Sequence, residues 1–208
     1  MGCAAGTLAI PLAKRVKKIF AMDISGTMLN LLQERCSKLN INNILTIQGA
    51  WEDDWDALGV GEHDVVIASR SLITENFESA LAKLNKAARK RVYVTTIVGD
   101  GPHDRRIYRA LGRELNPGPD YIYLCNLLYR MGIRANVNFI THEEQNSYES
   151  PEDAFAILSS KIEVITTEEA DTLRSFLKNH LVCHEERWMM SYPRKICWAI
   201  LWWDKEKT

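Results

Sequence analysis

No C-x-x-C pair, no apolar run long enough to span a bilayer and no surplus of either charge sign occur in these 208 residues. Each absence removes a class of function. Five cysteines, an odd number without metal-ligand spacing, leave neither a disulfide framework nor a zinc site to expect; they point to a reducing, cytoplasmic setting. The longest apolar run, from Ile196 to Trp203, is far short of a membrane span and reads as a buried strand. A formal net charge of -1 offers no basic field to nucleic acid or to an anionic membrane. No signal peptide, internal repeat, low-complexity segment or linker interrupts the chain, so a single domain over 1–208 is expected.

What is present is an alternation of strands and helices. The chain opens on Met1-Gly2-Cys3-Ala4-Ala5-Gly6 and runs into helical spacing at Leu8, Leu12 and Val16, which predicts a helix over 7–15. Small residues let a backbone turn sharply and come close to a ligand. A loop that opens a helix presents N–H groups to an anion or to the polar end of a cofactor. Residues 19–22 read as a buried strand closed by Asp23, and Ser25 as the N-cap of a helix with Met28, Leu31, Leu32, Cys36 and Leu39 on one face. A strand over 44–48, a loop over 49–55, a short helix and a strand over 64–69 follow. A helix over 78–89 buries Ala80, Leu81, Leu84 and Ala88, and a strand covers 92–98. This order predicts an α/β fold with a mainly parallel sheet and right-handed crossovers.

From Gly99 the rhythm breaks. A helix over 105–115 carries an apolar stripe at Ile107, Leu111 and Leu115; Arg105, Arg109 and Arg113 lie opposite and read as a solvated face. Pro117-Gly118-Pro119 is a second break, and Asp120 can cap a helix that Gly132 stops. A strand over 135–141, helices over 151–160 and 167–181, and a last strand over 195–203 complete the pattern.

In this order the elements resemble the class I S-adenosylmethionine-dependent methyltransferases over nearly the whole chain. Gly2-Cys3-Ala4-Ala5-Gly6-Thr7-Leu8 resembles that family's first glycine motif, with Ala4 where the strict pattern has glycine. Asp23 resembles its ribose-binding acidic residue, and Gly49-Ala50-Trp51-Glu52 lies where the family places its adenine-flanking loop. Asp64-Val65-Val66-Ile67-Ala68-Ser69 resembles its fourth strand. The resemblance implies a Rossmann-like doubly wound sheet with an antiparallel C-terminal strand and a helical, substrate-side insert at about 99–133. It implies S-adenosyl-L-methionine as cofactor, held by Gly2, Cys3, Ala4, Gly6, Asp23, Ile24, Ala50, Trp51, Glu52, Ser69 and Arg70. Asp23 would accept both ribose hydroxyls, and Trp51 would offer adenine an apolar face. Many members carry an acidic residue where Ala50 stands, so the acceptor for the adenine amino group falls to Glu52, Asp53 or backbone. Ser69 and Arg70 would lie beneath the methionine part. The family also has a central strand ending just before the position of Gly2; here position 1 is Met, and the expectation is a natural reading frame that extends upstream.

Methyl transfer from a sulfonium is an in-line displacement, so alignment dominates and a base helps only where the nucleophile must lose a proton. His103 and Asp104 are the foremost general-base candidates, against the alternative of a loop histidine and a helix-capping aspartate; His142 and Glu143 come second. Tyr108, Tyr121, Tyr123 and Tyr129 suit an apolar acceptor pocket with polar tips, or simply pack the insert. The Asn/Asp-Pro-Pro-Tyr/Phe signature of many nucleic-acid and glutamine methyltransferases is absent after the fourth strand, where Ser69-Arg70-Ser71-Leu72 stands, as are the carboxylates of magnesium-dependent members. A metal-independent enzyme acting on a small molecule is therefore expected, with a homodimer as its candidate assembly. The rivals are a non-catalytic cofactor-binding or partner-binding domain on the same fold and a nicotinamide-dependent oxidoreductase; broken G-x-G-x-x-G spacing weighs against the last.

Overall fold

The computed structural model describes residues 1–144, 146–162 and 164–205. Two compact units divide the chain. Residues 1–96, 121–138 and the stretch from Ala199 form the first; residues 97–120 and 139–198 form the second. The insert expected at 99–133 is thus shared between them. Among the described residues no helix is long and apolar enough to cross a membrane.

The first unit starts with α1 (Ala9–Ala13), β1 (Ile19–Asp23), α2 (Gly26–Lys38) and β2 (Ile44–Gln48). β1 and β2 pair in parallel, from Ile19 opposite Ile44 to Asp23 opposite Gln48. Ala9, Ile10, Ala21, Leu32 and Cys36 form their shared core. α1 is shorter than the predicted helix and begins two residues later, because the turns that start at Ala4 continue through Leu8. Ser25 caps α2 as predicted, accepting from the Met28 N–H at 3.3 Å. The buried face of α2 is Leu29, Leu32 and Cys36, however; Met28, Leu31 and Leu39 are exposed, since the apolar residues wrap more than one face and packing selects the stripe.

β3 (His63–Ser69), α3 (Phe77–Ala87) and β4 (Ala88–Ile97) continue the unit, with β3 and β4 parallel. The helix expected after Trp55 is a series of turns. α3 has Asn76 as its N-cap and passes into β4 without a loop, so β4 begins four residues before the predicted strand. The basic run at 89–91 hides that start, yet Arg89 and Lys90 lie beside the Asp64 carboxylate, and Arg91 holds Asp204.

The remaining elements are α4 (Arg105–Ala110), α5 (Tyr121–Arg130), β5 (Asn136–Glu144), β6 (Ser147–Tyr148), α6 (Pro151–Ser159), α7 (Thr167–His180), β7 (Leu181–His184), β8 (Arg187–Met190) and β9 (Arg194–Asp204). The larger sheet runs in the order β3-β4-β9-β5, so the last strand lies inside it, next to β4. Ala199, Leu201 and Trp203 bury alternate positions of β9, the period of a pleated strand. The architecture is α/β and Rossmann-like, with parallel pairing in β1–β2 and in β3–β4.

In the second unit, Leu173 and Leu177 of α7 pack with Ala154 and Leu158 of α6 and with Tyr148. Ser150 caps α6, and Thr166 with Glu169 forms a capping box on α7. A small antiparallel sheet, β6-β8-β7, went unforeseen in the sequence. Its hairpin turns on Glu185-Glu186, both at positive φ (48° and 63°). That backbone ordinarily takes Asn-Gly, and the two glutamates gave no turn signal. Replacing Glu186→Gly removes the side-chain penalty of a left-handed residue. It should raise unfolding stability by about 0.5–1 kcal/mol, measurable by urea denaturation.

Candidate functional site

Three strand tips in the first unit carry the candidate residues, at the carboxyl ends where open α/β sheets bind ligands. The 2–6 loop sits among them. The Cys3 N–H donates to the Met22 carbonyl at 3.0 Å, and the Met1 amino group donates to Ile67 of β3 at 2.9 Å. Gly2, Ala4 and Gly6 all have positive φ (71°, 45° and 88°). A Cβ at Gly2 would lie 2.0 Å from the Cβ of Ser71, and one at Gly6 would lie 2.4 Å from Leu32 Cδ1. The glycines are therefore required by space as well as by conformation. Ala4 adopts the left-handed backbone despite its Cβ.

Asp23, at the end of β1, is 8% exposed. Its Oδ2 accepts from the Ala4 N–H at 2.7 Å and its Oδ1 from the Ser25 N–H at 2.9 Å. One carboxylate thus ties the loop to the strand tip and to the start of α2. Each oxygen can accept a further bond. Ile24, next in the chain, is 67% exposed and offers apolar surface beside the carboxylate. Arg35, from α2, braces the loop by donating to the Ala5 carbonyl at 2.7 Å. The Cys3 thiol is pushed up to about 11, first by burial and then by the Asp23 charge, so it stays a protonated thiol.

After β2 the chain folds back on itself. The Gly49 N–H donates to the Asp23 carbonyl at 3.0 Å, and the Ala50 N–H to Asp53 Oδ2 at 2.8 Å. Trp51 is not the open ring that the sequence suggested. It is 6% exposed, lies 5.5 Å from the Trp55 ring and donates its indole N–H to the Ser71 carbonyl at 2.7 Å. Two adjacent tryptophans bury together beneath the loop, and burial of this area outweighs display of one face. Lys83 of α3 donates to the Trp51 and Asp53 carbonyls, at 2.6 and 2.7 Å. Glu52 accepts from the Thr74 hydroxyl at 2.9 Å.

After β3, Ser69 Oγ lies 3.0 Å from Thr95 Oγ1, and Arg70 takes a positive φ of 54° as its N–H reaches the same hydroxyl at 2.9 Å. Ser71 is the residue that sequence reasoning missed. It abuts Gly2, donates from Oγ to the Met1 carbonyl at 2.9 Å and receives the Trp51 indole. A small polar residue just past a parallel strand tip was the only signal.

The candidate catalytic pair lies in the second unit. Asp104 caps α4 through the Arg106 N–H (3.0 Å), accepts the Tyr192 hydroxyl (3.0 Å) and lies 3.8 Å from Arg194 Nε. Its oxygens are thus structurally engaged, as the capping alternative held. The His103 ring meets Tyr108 edge-on, with Nδ1 3.4 Å from the Tyr108 hydroxyl. Burial, then the Arg194 and Lys161 charges, hold its pKa below the ordinary value, with Asp100 opposing. The imidazole is therefore neutral at pH 7 and able to accept a proton.

The four tyrosines are divided between the two units. Tyr108 packs on His103, and Tyr121, Tyr123 and Tyr129 belong to α5 in the first unit. Tyr123 meets Phe77 edge-on at 5.6 Å, and Tyr129 is 82% exposed. The arginine stripe is not simply solvated: Arg105 forks onto Asp100, and Arg113 onto Glu169 at 2.5 and 2.8 Å. His142 and Glu143 are exposed on β5. Among the described residues no three His, Cys, Asp or Glu side chains are grouped as an ion would require.

Residues 1–91 match a family described as a methyltransferase domain. An uncharacterised protein of Haemophilus influenzae is 34% identical over 208 residues, covering all of this chain and 75% of that protein. A probable cobalt-precorrin-6B C(15)-methyltransferase (decarboxylating) of Methanocaldococcus jannaschii is 29% identical over 98 residues, 47% of this chain and half of that one. The crystal structure of a provisionally assigned methyltransferase of Bacillus halodurans C-125 superposes with a TM-score of 0.62 at 14% identity, covering 99% of this chain and 90% of that one.

The loop geometry makes opposite predictions for its two kinds of small residue. Gly2→Ala meets Ser71 and a disfavoured φ, and should lower unfolding stability by about 3 kcal/mol. Ala4→Gly relieves the left-handed alanine and should raise it by about 0.5–1 kcal/mol. Thermal unfolding of both variants checks the sign.

Proposed function

We propose that this chain, which matches a methyltransferase-domain family over residues 1–91, is a class I S-adenosylmethionine-dependent methyltransferase and moves a methyl group to a small-molecule acceptor by in-line displacement without a metal ion. The observation that carries this reading is the tie between the 2–6 loop and the buried Asp23 carboxylate, with Ile24 exposed beside it. The residues fit the cofactor: no Cβ fills the cradle at Gly2 or Gly6, and Asp23 retains acceptor capacity for two ribose hydroxyls. The 2–6 loop would hold the methionine end, assisted by Ser69 and Arg70. Ile24 would supply apolar surface for adenine, with Ala50 and Glu52 at its rim and Trp51 supporting them from below. Bound S-adenosyl-L-methionine supplies a methyl group already activated on sulfur.

The protein's part is then to orient and to take up a proton. His103 is assigned as the proton acceptor for a nucleophile that must lose one, because its ring is neutral and Tyr108 orients it. Asp104 supports the segment from which His103 projects. The metal-independent reading rests on the absence of any carboxylate in Ser69-Arg70-Ser71-Leu72, directly after β3.

Isothermal titration of S-adenosyl-L-methionine tests the reading. Binding near one to one at micromolar strength is expected. Asp23→Ala should weaken it at least about tenfold, since two N–H groups lose their acceptor as well as the ribose. A wild-type sample that is folded by circular dichroism and binds nothing would overturn the proposal.

A further inference from the structure

We propose that Arg194 is the positioning residue of the catalytic segment, fixing the backbone from which the His103 imidazole projects. The inference rests on the assignment of His103 as proton acceptor. Arg194 opens β9 and its side chain is 15% exposed. Its guanidinium donates to two acceptors and forms an ion pair with a third group. Nη1 donates to Glu144 Oε2 at 3.0 Å, at the end of β5. Nη2 donates to the His103 carbonyl at 3.0 Å, and Nε lies 3.8 Å from Asp104 Oδ2. A planar fork with five donors can meet this arrangement; an ammonium cannot.

Tyr192, two residues earlier, reinforces the hold. Its hydroxyl donates to the same Asp104 oxygen at 3.0 Å, and the Arg106 guanidinium lies 4.0 Å from its ring centre. The His103 carbonyl and the Asp104 carboxylate are thus both fastened to the 192–194 segment. The ring itself is left to Tyr108, whose hydroxyl is 3.4 Å from Nδ1. The groups that face the imidazole are Arg194 from β9, Lys161 from just beyond α6, Asp100 from the preceding turn and Tyr108 from α4. Two are cations. The one anion, Asp100, is already forked by Arg105. Protonating the ring would place a third positive charge among them, so the same arginine that holds the backbone also keeps the imidazole in its accepting form.

The test follows the His103 ring by NMR through pH 5–8 in wild type and in Arg194→Gln. Loss of the cation should raise the titration midpoint of His103 by about half a pH unit or more, while the other four histidines keep theirs. An unchanged His103 midpoint in a folded variant would sink the proposal. Arg194→Lys keeps the charge and loses the fork, and it decides the matter alone if the glutamine variant does not fold. Amide hydrogen exchange at His103 and Asp104 should then speed up about tenfold while α7 keeps its protection. Equal protection at both places would overturn the positioning role. Neither readout uses cofactor or acceptor, so failure of methyl transfer would count against the proposed function and leave this test standing.

Discussion

The buried carboxylate of Asp23 is the group on which the first unit's ligand face depends. It accepts two backbone N–H groups from opposite sides, Ala4 and Ser25. Bonds of this charge-assisted kind contribute about 1.5–3 kcal/mol each. Together with the Cys3–Met22 backbone bond they tie the 2–6 loop to the tip of β1 and to the start of α2. Arg35 and Ser71 brace the same loop through the Ala5 and Met1 carbonyls. Backbone dipoles accompany the carboxylate's charge, which leaves its outer lone pairs available to hydroxyl donors.

The second unit uses its charges differently. Glu169 completes the capping box of α7 and also receives Arg113 from beyond α4; that guanidinium, with the Thr166 N–H, holds its carboxyl down to about 2. One glutamate therefore serves a helix start and a tertiary link at once. Arg105 and Arg194 are likewise committed to carboxylates. These three arginines, which by charge alone could recognise an acidic ligand, are engaged in setting backbone positions. His103 beside them is neutral and partly buried.

Much of the architecture was legible because periodicity and caps agree. β1 and β2 have the expected bounds or nearly so, the predicted cap Ser25 accepts the N–H that capping requires, and Asp104, offered first as a base, takes the capping role named as its alternative. The alternation of strand and helix was enough for the α/β class. What escaped was decided by tertiary competition. The face of α2 went to Leu29 because packing chose among several apolar stripes. Trp51 turned inward because Trp55 and the Ser71 carbonyl together bury it better than an open rim would. The start of β4 lay under three basic residues whose partners are far away in sequence. The β7–β8 hairpin turned on two glutamates in a conformation their side chains disfavour.

Ala4 carries a lesson for how such loops are found. It occupies a left-handed backbone position that glycine fills more easily, and the fold keeps it there because Asp23 grips its N–H. The loop's shape is thus enforced from outside by a hydrogen bond rather than from inside by residue type. A search that demands glycine at each turn of this motif would pass over chains built in the same way. The stronger query is for a left-handed small residue whose amide faces the acidic tip of the next strand.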